Sequence, residues 1–166
     1  IDAGVQKSNL RQLARQRMAE RGLTCDCIRC REVGHHDETP EDLRLEATEY
    51  EVAGGTEVFL SVEDFEKGVL VGFCRLRFPG DPRRRELDGA AIVRELHVYG
   101  DEVGVGDAGD GHQHRGWGHR LMARAEERAR EAGYRKLAVI AGIGARAYYR
   151  EKLGYRQDGP YVSKRL

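Results

Sequence analysis

The segment Gln113-His114-Arg115-Gly116-Trp117-Gly118 constrains this chain more than any other. It runs straight into a helical pattern. Gly118, Leu121, Met122, Ala125, Ala129 and Ala132 recur at helical spacing, and Gly133 stands where the residue just past a helix end belongs. A strand-like run, Ala90 to Tyr99, precedes the loop, and another, Lys136 to Ala141, follows the helix. A glycine-bearing loop at a helix N-terminus presents unbonded backbone N–H groups and the positive end of a dipole. Such a corner receives phosphate groups. Two glycines alone would suit an ordinary helix start just as well, so the strand on each side carries the argument.

The flanking pattern predicts a sheet. Leu45 to Ala53 and Glu57 to Val62 read as a hairpin around Gly54-Gly55. Val69 to Phe78 is a third strand, broken by Pro79-Gly80-Asp81-Pro82. In the fourth, Ala90 to Tyr99, alternation puts Arg94, Leu96 and Val98 on one face and Glu95, His97 and Tyr99 on the other. A carboxylate and an imidazole side by side suit acid–base work, or simply a satisfied polar pair. Asp101 to Gly111 is an acidic, glycine-rich loop. After the strand Lys136 to Ala141, the spacing predicts a helix over Ile143 to Lys152 carrying Tyr148-Tyr149. Short strands follow, near Tyr155-Arg156 and from Tyr161 to Leu166.

Ahead of the sheet lies an arm. Asn9 and Gln12 have the spacing of a capping pair. Leu10, Leu13, Ala14 and Met18 share one helix face, Lys7, Arg11 and Arg15 another, and Gly22 ends the pattern. The basic face suits water or a phosphate backbone, and Arg83-Arg84-Arg85 offers a second basic cluster. Lys+Arg and Asp+Glu both number 28, so only such clusters can speak about polyanions. Three of the four cysteines, Cys25, Cys27 and Cys30, form C-x-C-x-x-C. That spacing suits a metal, above all zinc, or three reduced thiols in a cytoplasmic protein, better than a disulfide framework. His35, His36, His97 and Cys74 are candidates for a fourth ligand. No apolar run approaches membrane-spanning length. Ile1 is not a start residue, which suggests a fragment.

Q-x-x-G-x-G between a strand and a helix resembles the pyrophosphate loop of the GNAT acyltransferases, which bind acetyl-CoA. The resemblance narrows with R-E-L-H-V-Y-G from Arg94, L-M-x-x-A-E from Leu121, and the Tyr pair with Leu153-Gly154-Tyr155. It narrows further with C-x-C-I-R-C-R-E-V-G from Cys25, N-L-R from Asn9, and G-P-Y-V-S-K-R-L at the end. Together these span nearly the whole chain. They resemble the acetyltransferase domain of the Elongator catalytic subunit family, which follows a radical-SAM domain and acts with acetyl-CoA on wobble uridine 34 of tRNA. The spacing C-x-x-x-C-x-x-C of a radical-SAM cluster is absent from this chain.

The resemblance implies an α/β (α+β) GNAT fold: a mixed, mostly antiparallel sheet with flanking helices over residues 41–166, preceded by a short helical, Cys-rich arm over 1–40. It implies that Glu95, Leu96, His97, Val98 and Tyr99 line acetyl-CoA together with Gln113, His114, Arg115, Gly116, Trp117 and Gly118. Tyr148 or Tyr149 would face the thioester sulfur as the acid that protonates the thiolate, with Tyr148 also touching the cofactor and Lys164 near the same end. One extra residue between the Tyr pair and Gly154 leaves the choice of Tyr open, with the first preferred. The implied partners are tRNA, contacted through Lys7, Arg11, Arg15 and Arg83, Arg84 and Arg85, and the radical-SAM domain. Self-association is left open, and no membrane is involved. Two other functions fit the residues: a protein-lysine acetyltransferase, and a non-catalytic module that binds acyl-CoA or tRNA.

Overall fold

The computed structural model describes residues 9–99 and 116–166. Lys7, the loop Asp101 to Gly111, and Gln113, His114 and Arg115 lie outside the described residues.

Among the described residues seven strands form one sheet. They are β1 (Leu43–Val52), β2 (Gly55–Asp64), β3 (Val69–Pro79), β4 (Ala90–Val98), β5 (Lys136–Val139), β6 (Arg156–Asp158) and β7 (Tyr161–Arg165), in spatial order β1-β2-β3-β4-β5-β7-β6. Among these seven strands only β4 and β5 run parallel; the other strand pairs are antiparallel. The parallel pair follows from the connection, because α3 (Trp117–Glu131) carries the chain back between them. The expected mixed sheet and helix order are therefore present, with α4 (Arg146–Leu153) entered through a short 3₁₀ turn at Ile143–Ala145.

One face of the sheet holds the main core. Alternation brings Val58, Leu60 and Val62 of β2, Cys74 and Leu76 of β3, and Val93 of β4 against Leu121, Met122, Ala125 and Ala129 of α3. Tyr149 and Tyr155 close one end of it. Fully burying one such aliphatic side chain contributes about 1.5–3 kcal/mol, so this layer dominates the stability of the fold. A smaller cluster of Leu87, Ala90, Ile92 and Ala138 sits on the opposite face, with Tyr161 packed against it.

The arm divides in two. Its first helix, α1 (Leu10–Ala19), has no buried residue, and Leu10 is 58% exposed. The Asn9–Gln12 capping pair does not form: Asn9 has φ −97° and ψ 28°, not the extended backbone of a side-chain cap, and it makes no such bond. The second half is stitched to the sheet. After α2 (Ile28–Arg31), Glu32 bridges Leu70 in parallel, Arg31 pairs with the buried Glu63, and Val33 packs against the core.

Candidate functional site

The site is built where β4 and β5 part. β5 pairs with β4 only from Ala90 to Val93, and the Ile140 N–H to the Val93 carbonyl, 3.0 Å, is the last rung. β4 runs on to Val98, held on its other side by β3. From Arg94 to Val98 its second edge has no strand partner among the described residues. Such an edge offers alternate N–H and C=O groups to an extended guest.

A β-bulge shapes that edge. Arg75 lies opposite Glu95 and Leu76 opposite Val93, so Arg94 is the extra residue. Simple alternation places Arg94 with Leu96 and Val98. The bulge instead turns it to the other face, where it reaches Glu57 at 3.0 Å. Glu57 is 2% exposed, and Arg75 approaches it at 3.8 Å while also meeting Glu95 at 3.3 Å. Glu95 is therefore held by Arg75. His97 sits between Phe73 and Tyr99, with ring centroids at 6.0 and 4.5 Å. Glu95 and His97 share a face, but each has its own partner.

This cluster makes a stability prediction. The Glu57 carboxylate is the buried partner, whereas both arginines reach water. Arg94→Met strands that carboxylate and is expected to cost roughly 2 kcal/mol or more, because breaking a buried pair leaves a charge uncompensated. Glu57→Met removes the buried charge itself and should cost less. Urea denaturation of both variants checks the order, and the reverse order would refute this reading of the bulge.

The N-terminus of α3 faces the same edge. Gly116 takes φ +92°, a backbone that L side chains rarely adopt, and its carbonyl accepts the Arg120 N–H at 2.9 Å. Trp117 is a core anchor rather than an exposed ligand, with the Arg120 guanidinium 3.9 Å above its ring. A Cβ at Gly118 would lie 2.8 Å from the Tyr148 hydroxyl and 3.9 Å from the Val98 side chain. Glycine at 118 thus lets Tyr148 reach the start of α3. The end of β4, the start of α3 and the Tyr148 hydroxyl converge on one small region.

The two adjacent tyrosines part here. Tyr148 is half-buried, its ring edge-on to His119 at 5.9 Å, and burial raises its pKa. It is fully protonated near neutral pH, as a proton donor must be. Tyr149 is 6% exposed and packs against Tyr155 in the core; burial raises its pKa too, with Cys74 and Tyr148 adding to the effect.

Lys164 has a defined partner. It stands opposite Leu137 on the core face, 2.9 and 3.1 Å from the carboxylate oxygens of the buried Glu126 and 5.6 Å from the Tyr155 ring centroid. Tyr155 donates to the same carboxylate at 3.1 Å. Lys164 is thus the counter-ion of a buried acid. Sequence reasoning missed Glu126, although the apolar stripe of α3 carried a signal. Met122, Ala125 and Ala129 lie on that stripe, and Glu126 falls among them at helical spacing, buried like its neighbours.

The cysteine triplet closes up as its spacing predicts. The sulfurs of Cys25, Cys27 and Cys30 all lie within 4.8 Å of one another. A hydrogen bond from the Cys30 backbone, then Cys25 and Arg11, lowers the Cys27 pKa to about 6, whereas burial raises that of Cys30. The candidate fourth ligands do not join this group among the described residues. Cys74 is buried in the main core, His97 is stacked on β4, and the His36 ring meets the Cys30 carbonyl at 3.0 Å.

The predicted basic surface is split. Arg83 and Arg84 are exposed, and Arg85 opens the 3₁₀ turn before β4, at the strand's N-terminal end. The arm joins β3 at Leu70, beside the other end of β4. A nine-residue strand such as β4 spans roughly 26 Å, so the two clusters cannot form one patch. Arg15 is exposed, but Arg11 turns to the cysteines, 3.6 Å from the Cys27 sulfur and 3.5 Å from that of Cys30. A hollow of about 720 Å³, lined by Asp88, Arg135 and Arg165 among others, also lies at the far end of the sheet from the β4–β5 fork. Among the described residues no helix is long and apolar enough to cross a membrane.

Comparison with known proteins agrees with this geometry. The chain is 46% identical over 173 residues to the tRNA uridine(34) acetyltransferase of Methanocaldococcus infernus, covering 98% of this chain and 32% of that protein. It is 49% identical over 175 residues to Elongator complex protein 3 of Drosophila melanogaster, covering 100% of this chain and 31% of that one. The chain thus spans about a third of the length of these relatives. The solved structure of the archaeal Methanocaldococcus infernus Elp3 with an N-terminal deletion superposes with a TM-score of 0.83 at 45% identity, covering 100% of this chain and 41% of that one. Residues 23–155 match the Acetyltransferase (GNAT) family, and with the forked sheet and the glycine-led α3 the chain belongs to that family.

Proposed function

We propose that this chain is the acetyl-CoA-handling domain of a tRNA uridine(34) acetyltransferase. The observation that carries the reading is the convergence of the unpaired β4 edge, the α3 N-terminus and the Tyr148 hydroxyl. Pantetheine lies along Glu95 to Val98 as an added strand, bonded to backbone that β5 leaves unpaired. The pyrophosphate sits on the backbone N–H groups from Gly116 to Gly118; Gln113, His114 and Arg115, which the resemblance assigns to the same ligand, lie outside the described residues. Tyr148 donates its proton to the departing thiolate, while Tyr149 packs the core behind it. The similarity to tRNA uridine(34) acetyltransferase along the whole chain favours tRNA as partner over a lysine substrate. Of the basic residues expected to meet RNA, Arg15 and Arg83 to Arg85 are exposed, and Lys7 lies beyond the described residues. A radical-SAM domain of the longer protein would complete the enzyme.

Zinc fits the cysteine triplet. Three thiolates at this separation supply three corners of a tetrahedral site, and the ion would act structurally, clamping the arm. Metal analysis after reducing purification without chelator should find about one zinc per chain; none would reject the site. The functional reading is tested with labelled acetyl-CoA plus either tRNA or a lysine peptide. The expected result is CoA release stimulated by tRNA. Label on the peptide, with no response to tRNA, would favour the protein acetyltransferase instead.

A further inference from the structure

We propose that Arg11 couples α1 to the cysteine cluster, so that docking of this helix and metal binding strengthen each other. The inference rests on the zinc reading above and goes beyond it. Its basis is geometric. One guanidinium nitrogen of Arg11 lies 3.6 Å from the Cys27 sulfur and 3.5 Å from the Cys30 sulfur. Cys27 and Cys30 are 16 and 19 positions away in sequence, so the contact ties separate segments together.

The helix has little else to hold it. None of its residues is buried, and its amphipathic face leaves Leu10 58% exposed. Among the described residues, Arg11 makes the side-chain hydrogen bonds that run from α1 to another segment; the Arg17–Glu20 pair is local. An isolated ten-residue helix is marginal in water, so an external anchor decides its order.

Charge gives the coupling its sign. Three thiolates outweigh the two positive charges of zinc, leaving the cluster anionic. A guanidinium donating to two sulfurs offsets that charge and favours the metal-bound form. Arg suits this role because its donors are fixed in one plane and its charge is permanent, whereas Lys presents a compact, strongly hydrated point charge. Linkage makes the effect reciprocal: what Arg11 adds to metal affinity, the metal adds to helix docking. Arg11 is thus a positioning residue for the cluster rather than a contact for RNA.

The test uses zinc, measured by competition with a chromophoric chelator, and cobalt, read by its sulfur charge-transfer absorption. Wild type, Arg11→Leu, Arg11→Lys and Gln16→Leu are compared, the last controlling for a change elsewhere on the helix. Arg11→Leu is expected to weaken zinc binding about tenfold or more, as loss of an outer-shell partner commonly does. Arg11→Lys should fall between, and Gln16→Leu should match wild type. Hydrogen exchange of Leu10–Ala19 should slow on adding zinc in wild type but not in Arg11→Leu. Wild type that binds no zinc overturns both the metal site and the coupling. Wild type that binds zinc, with Arg11→Leu within about twofold of it and equally protected, overturns the coupling alone.

Discussion

Tyr148→Phe is expected to hold acetyl-CoA with near wild-type affinity yet release CoA roughly a hundredfold more slowly, the usual scale of lost acid catalysis. The substitution keeps the ring that packs against His119 and Tyr149 and removes only the hydroxyl beside Gly118. A thiolate with a conjugate-acid pKa near ~8.5 is a moderate leaving group, which a phenol near ~10 can still protonate when the two are hydrogen-bonded in a dry pocket. Burial raises the Tyr148 pKa, so the donor form persists across neutral pH and is lost only in alkali. Tyr149→Phe should act weakly, through packing, because that side chain lies in the core. Steady-state CoA release in the presence of tRNA, with calorimetry for affinity, separates the two variants. Equal rates for wild type and Tyr148→Phe would assign the proton elsewhere, to His97 or water.

Gly116→Asp is expected to abolish acetyl-CoA binding. Position 116 has φ +92°, so any side chain strains the entry to α3. A carboxylate there also sets a negative charge where the dipole and N–H groups would meet phosphate. Gly116→Ala carries the strain without the charge and should lose less. Calorimetric titration of both variants with acetyl-CoA ranks them. Undiminished affinity in Gly116→Asp would move the pyrophosphate off this backbone.

Much of the fold is legible in the sequence because its elements obey simple periods. β2, β3 and β5 alternate or run continuously apolar, and α3 repeats its small and aliphatic residues on one face. What escapes is whatever depends on pairing between strands. Arg94 changes face because of a bulge against β3, and alternation along β4 alone cannot reveal an extra residue. Nothing in the hairpin run from Glu57 to Val62 shows that arginines from β3 and β4 meet Glu57 in a buried position. The terminal motif does not show that Lys164, in register opposite Leu137, meets Glu126. The convergence of Tyr148 on Gly118 joins two helices separated by a strand, which no local pattern encodes. The cysteine triplet is legible because its ligands are close in sequence, but the turn of Arg11 towards it is not.

On this reading acetyl-CoA occupies the fork between β4 and β5. Backbone amide chemical-shift mapping on titration with acetyl-CoA tests it most directly. The largest shifts are expected at Leu96 to Val98 of β4 and at Trp117 and Gly118 of α3, with much smaller ones at the far end of the sheet. Shifts concentrated instead around Asp88, Arg135 and Arg165, in the lining of the hollow of about 720 Å³, would contradict it.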